Sequence, residues 1–109
     1  MKSLIKNIYI DQGSSFNETI TVVDASNRPV NMEQYEIYAV LKKHYESVKS
    51  ISFCVDIVDV NKIVLTLDAI TTSSLSGGQY VYDIIVMSDD EHRERIQEGQ
   101  AIVTPGVTL

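Results

Sequence analysis

The stretch that decides the fold is Gln79-Tyr-Val-Tyr-Asp-Ile-Ile-Val-Met87. Tyr80, Tyr82, Ile84 and Val86 fall on one side of an extended chain, and Val81, Asp83, Ile85 and Met87 on the other, so one face is wholly apolar. Side chains alternate across a strand with period two, and a nine-residue run in which six are β-branched or aromatic favours a strand over a helix. Gly77-Gly78 precedes the run and Ser88-Asp-Asp-Glu91 follows it as a polar turn. His92 to Val103 then reads as the last long strand. Gly99 in its interior signals a bulge or a close backbone approach, and Pro105-Gly106 stops it, because proline cannot donate to a ladder.

The same alternation runs upstream. Tyr35, Ile37, Ala39 and Leu41 share one face of a strand reaching about His44, with Glu36, Tyr38, Val40 and Lys42 on the other. Ile51, Phe53, Val55 and Ile57 repeat the pattern against Ser52, Cys54 and Asp56. The connection Asp59-Val60-Asn61-Lys62 leads into a strand whose Ile63, Leu65 and Leu67 point inward, which makes a hairpin. Leu4 to Ile10 and Phe16 to Val23 read as the first two strands, joined through Asp11-Gln12-Gly13-Ser14. Asp24-Ala-Ser-Asn-Arg-Pro29 is turn chemistry, and Val30 to Met32 a short extended piece. Helix is confined to Asp68 capping Ala69 to Leu75, where Ile70 and Leu75 can reach one side.

Composition agrees. Val and Ile number thirteen each, whereas Leu and Ala total ten, a ratio that favours pleated surface over helix. About seven strands with short connections must bury their apolar sides against a second sheet, which predicts an all-β antiparallel sandwich forming one domain over residues 1–109. A single cysteine excludes an internal disulfide and any multi-cysteine zinc module. No apolar run reaches the ~18 residues of a membrane helix, and MKSLIKNIYI lacks a signal-peptide core, so the chain is expected to start near Met1.

Charge is unevenly spread. Residues 1–53 hold six acids and six Lys/Arg, so the net charge of −6 lies entirely after them. Such a chain is repelled by phosphate backbones, and its only basic cluster is Lys42-Lys43-His44. Nucleic-acid and anionic-membrane binding are therefore not expected, whereas a basic partner for the acidic half is conceivable.

No constellation for catalysis emerges. His44 and His92 are the only histidines, stand 48 positions apart and have no ligand pattern around them, so no zinc site is expected. Asp89, Asp90, Glu91 and Glu94 are dense enough to raise calcium, but the segment 89–98 lacks the alternating spacing and glycine of a calcium loop. Asp24, Ser26 and Asn27 read as a turn for the same reason. Ser76-Gly77-Gly78 is no nucleophile elbow, since no helix follows it. Cys54 has no base near it in sequence. No catalytic, cofactor or metal residue is assigned.

Leu65 to Ile84, followed by Arg95-Ile-Gln-Glu-Gly-Gln-Ala-Ile-Val-Thr-Pro105, with Gln12-Gly13-Ser-Ser-Phe16 and Thr19-Ile-Thr-Val22 upstream, resembles small immunoglobulin-like proteins of phage tail and baseplate gene clusters. The layout is similar to the N-terminal domains of lactococcal phage baseplate upper proteins. The resemblance implies an immunoglobulin-like sandwich acting in the virion as a non-enzymatic structural or adaptor subunit, assembled with its own copies or with other virion proteins. It transfers no site residue. Tyr80, near the start of its strand, matches the tyrosine that in such sandwiches turns its hydroxyl back to upstream backbone, although the disulfide cysteines and the buried tryptophan are missing. The alternative is a carbohydrate-binding or adhesion module, for which Tyr9, Tyr38 and Tyr45 clustered on one sheet face would be the sign. A small enzyme ranks third, and would need a concave pocket holding two or more convergent acids or the His/Cys set.

Overall fold

The computed structural model describes residues 3–107. The chain forms the strands β1 (Leu4–Ile5), β2 (Ile8–Asp11), β3 (Phe16–Thr21), β4 (Glu36–Lys42), β5 (Ile51–Ser52), β6 (Cys54–Asp59), β7 (Lys62–Leu67), β8 (Gly78–Met87) and β9 (Arg93–Thr104). A 3-10 turn at Met32–Gln34 and the single short helix α1 (Ala69–Ser73) complete it. No helix of the described residues is long and apolar enough to cross a membrane. The larger sheet has the order β1-β9-β8-β4-β5, with β2 also on β9, and the smaller has β3-β7-β6. The protein is an all-β sandwich, as its residue pattern requires.

The decisive alternation holds. Tyr80, Tyr82, Ile84 and Val86 are all buried, facing Ile63, Leu65 and Leu67 of the smaller sheet within one core that also holds Ile8, Ile10, Ala39 and Leu41. Phe53 joins the layers, its ring 5.9 Å from that of Phe16 and 6.5 Å from that of Tyr82. Tyr80 makes the expected corner, since its hydroxyl donates to the Ser76 carbonyl at 3.1 Å and accepts from the Ser76 amide at 3.0 Å.

Several expectations are corrected. Nine strands replace seven because two continuous runs are broken. Leu4 to Ile10 divides at Lys6-Asn7 into β1 and β2, and Ile51 to Ile57 divides at Phe53, whose amide stays with Ala39 of the larger sheet (2.9 Å) while Cys54 begins pairing with β7. The sandwich is not purely antiparallel either, because β1 and β2 run parallel to β9. The segment after Asp11 consequently crosses between sheets instead of closing a hairpin. Leu4 to Ile10 lies at an edge of the larger sheet, yet Ile8 and Ile10 are core residues, so removing it would open the interior. Met32 opens a turn where an extended piece was expected, capped by the Asn31 side chain. In α1 the inward position belongs to Thr72, while Ile70 is 83% exposed. Thr72 is held there by its hydroxyl, which donates to Ser14 O and accepts from Gly13 N. Ile57 sits beside an irregularity in the β6 edge strand and is also exposed.

Gly99 is a close approach, as its position signalled, and the bulge lies nearby. The β8 partners of Gln97 and Arg95 are consecutive, Ile84 and Ile85, so Ile96 is the extra residue and both it and Gln97 turn inward. A Cβ on Gly99 would stand 2.2 Å from the Lys6 carbonyl oxygen. Gly99→Ala is therefore expected to destabilise by about 1–3 kcal/mol through backbone displacement, read as a lowered denaturation midpoint. Tyr80→Phe, which keeps the ring and loses the corner bonds, should cost about 1 kcal/mol in the same assay.

Candidate functional surface

Strand registers place the outward side chains of the larger sheet in four rows. Glu36, Met87 and Arg93 form the first, Tyr38, Ile85 and Arg95 the second, Val40, Asp83 and Glu98 the third, and Lys42, Val81 and Gln100 the fourth. Val40, Val81, Ile85 and Met87 are only partly covered by the described residues. Three of them run along β8 with Val40 beside them on β4, and Asp83 interrupts them among the charges of the face. Arg95 organises them, with Nε 3.2 Å from Asp83 and Nη1 3.3 Å from Glu98. These are exposed pairs of small energetic value, but they fix where the guanidinium points.

A concavity of about 490 Å³ lies on this face, with Val40, Val81 and Ile85 as its apolar floor. Lys42, Asp83, Arg95 and Glu98 supply its charges, and Tyr45 and Ser50 rise beside it from the connection between β4 and β5. That connection is tied by reciprocal bonds between His44 and Ser47, which fix the loop that carries Tyr45, itself 74% exposed. Tyr38 stands next to Ile85, its hydroxyl donating to Glu36 at 2.6 Å, and this bond raises the pKa of the phenol. Tyr9 belongs to the same outward face at its far edge, opposite Ile102. Sequence reasoning named these three tyrosines but assigned no role to Arg95, Asp83 or Glu98, because their convergence depends on the register between β8 and β9.

The residues weighed for chemistry lie apart. His92 is at the turn after β8, 3.8 Å from Glu94, and His44 is in the loop after β4. Cys54 is exposed on the smaller sheet, in a groove lined by Ser15, Asn17, Ser52, Thr66, Asp68 and Thr71, with neither histidine among the lining. Asp90 accepts from the Ser88 hydroxyl and the His92 amide, bonds that close the turn and lower its pKa. Asp24 accepts from Ser26 and Arg28 amides in the same way. Among the described residues, no three of His, Cys, Asp and Glu gather as a metal site.

No protein-family model matches the chain, and no curated protein matches it. Among solved structures the fold is similar to a chain from the work described as "Structural basis of T cell specificity and activation by the bacterial superantigen toxic shock syndrome toxin-1". That match has 11% identity and a TM-score of 0.57, and covers 90% of this chain and 92% of that one. A further match, at 17% identity and a TM-score of 0.44, is the "Listeria monocytogenes internalin-like protein lmo2027", where 95% of this chain corresponds to 28% of the other. At 11% identity the first of these likenesses concerns the fold alone.

The bond between Tyr38 and Glu36 makes a measurable claim about this face. The Tyr38 phenol should titrate above the ordinary tyrosine value, and Glu36→Gln should bring it back down, as followed by ring chemical shifts from pH 8 to 12.

Proposed function

We propose that the chain is a non-enzymatic structural or adaptor subunit of a phage virion, in a tail, baseplate or fibre-associated assembly, that works by protein contact. On this reading it is made in the bacterial cytoplasm and ends in the particle. The observation that carries the contact mode is the outer face of the larger sheet, where Val40, Val81, Ile85 and Met87 stand half-covered among balanced charges that centre on Asp83 and Arg95. Methionine and arginine are enriched at protein interfaces, which also carry apolar side chains among paired polar groups. The phage setting rests on the sequence resemblance alone. The separation of His44, His92 and Cys54, together with the hold of Arg95 on both acids of the concavity, Asp83 and Glu98, favours a binding role over a catalytic one, since a nucleophile needs its base within hydrogen-bond reach.

A second reading, glycan binding, is favoured by one specific observation. Tyr45 lines the concavity and Tyr38 neighbours its floor, with Asp83, Glu98, Lys42 and Arg95 available to sugar hydroxyls.

The two readings part in one experiment. Proteins encoded beside this chain are tested by pull-down against the purified protein and against Ile85→Glu, which places a charge among those apolar side chains. Capture by the unaltered protein and at least tenfold weaker capture by Ile85→Glu is the expected result. Failure to bind any neighbour, together with calorimetric binding of a defined oligosaccharide that Tyr45→Ala abolishes, would put the glycan reading in its place.

A further inference from the structure

We infer that the outer face of the larger sheet also pairs with the same face of a second copy of this chain, in an isologous dimer whose two-fold axis lies in the face, across the strands. The inference rests on the contact role proposed for this face and adds its partner. Its first support is charge. Glu36, Asp83 and Glu98 oppose Lys42, Arg93 and Arg95, three against three, so the four rows are neutral and the whole net charge of −6 lies elsewhere on the chain. An acidic protein here presents a surface on which its own copy meets no net repulsion.

The second support is the order of those charges. An axis between the second and third rows brings the first row over the fourth and the second over the third, within each strand. Glu36 then faces Lys42 of the second copy, Arg95 faces its Glu98, and Arg93 faces its Gln100. Met87 meets Val81, Tyr38 meets Val40, and Ile85 meets Asp83, whose carboxylate Arg95 already holds. No like charges are opposed. An axis along the strands lacks that property, because it sets Asp83 against its own copy. Two-fold symmetry repeats each contact, so the Glu36 and Arg95 pairings occur twice each.

Size sets the strength. The four rows span three full columns, β4, β8 and β9, and at ~4.8 Å per strand and ~3.4 Å per residue over eight residues these give a plane of roughly 390 Å². A standard interface buries about 800 Å² per partner, so the pairing belongs at the weak end of specific association, with a Kd on the order of micromolar to a hundred micromolar. Twisted sheets packed face to face accommodate each other at about 30°, which keeps the rows in register near the centre.

Sedimentation velocity of the whole chain from about 1 to about 500 µM tests this, with Glu36→Lys, Lys42→Glu and the double variant beside it. The unaltered protein should pass from monomer to dimer over that range. Each single reversal should weaken pairing at least tenfold, and the double variant should recover to within about threefold. Both changed side chains lie on the outer face of the sheet, and circular dichroism checks that each variant keeps its fold. A chain that remains monomeric throughout overturns the inference, even if it binds a neighbouring virion protein through this face, in which case the functional proposal survives. Rescue of Glu36→Lys by Arg93→Glu in place of Lys42→Glu also overturns it, because that pattern belongs to an axis along the strands.

Discussion

The hydroxyl of Tyr82 holds the two ends of the chain together. It lies at the centre of β8, donates to the Lys6 carbonyl at 2.5 Å and accepts from the buried Gln97 amide at 2.9 Å. Burial pushes the phenol pKa up, which favours the protonated, donating form. Three features depend on that bond. The Lys6 carbonyl is turned away from a regular ladder, which breaks the first strand into β1 and β2. Gln97 has to point inward, which requires the bulge at Ile96. The Lys6 backbone comes so near β9 that only glycine fits at position 99. An apolar residue at position 82 would leave a buried amide and a buried carbonyl without this partner, each a cost of about 1–3 kcal/mol.

From this point the rest of the sandwich follows by contact. β8 is central to the larger sheet, and its inward column from Tyr80 to Val86 meets the inward column Ile63, Leu65 and Leu67 of β7. Phe53 completes the joint from the other edge, where the chain leaves one sheet and enters the next in a single residue. Gln12 and Thr72 close the end of the core: the Gln12 side chain donates to Leu75 O and accepts from Gly106 N, so the helix, the crossover and the end of β9 are tied through it.

What the sequence disclosed and what it withheld follow one physical division. Period-two alternation fixes which side chains face inward, and for β4, β7 and β8 it was sufficient, as was the turn chemistry of Asp24 to Pro29 and Asp59 to Lys62. Alternation says nothing about which strand pairs with which, or in what direction. The parallel placement of β1 and β2 beside β9 was therefore not legible, since a parallel and an antiparallel edge strand carry the same pattern. Nor was the break at Phe53, where Ile51, Phe53 and Val55 alternate without a gap although the backbone changes sheets. The inward turn of Thr72 in place of Ile70 came from hydrogen bonds to Gly13 and Ser14, fifty-nine and fifty-eight positions away. The site suffered most from this limit. Tyr38 and Tyr45 could be named from their type, while the cluster of Asp83, Arg95 and Glu98 exists only because β8 and β9 pair with a one-residue bulge.

The parallel pairing of β2 with β9 has a mechanical consequence. Ile8, Tyr9, Ile10 and Asp11 run alongside Ala101 to Thr104 in the same direction. Tension applied at the start of the first strand and at the end of the last pulls the two past each other, so the bonds of this seam are loaded together in shear. A hairpin pulled at its open end gives way one bond at a time instead. A domain strung between two neighbours by its ends would therefore resist extension best along the very axis on which such a load would act.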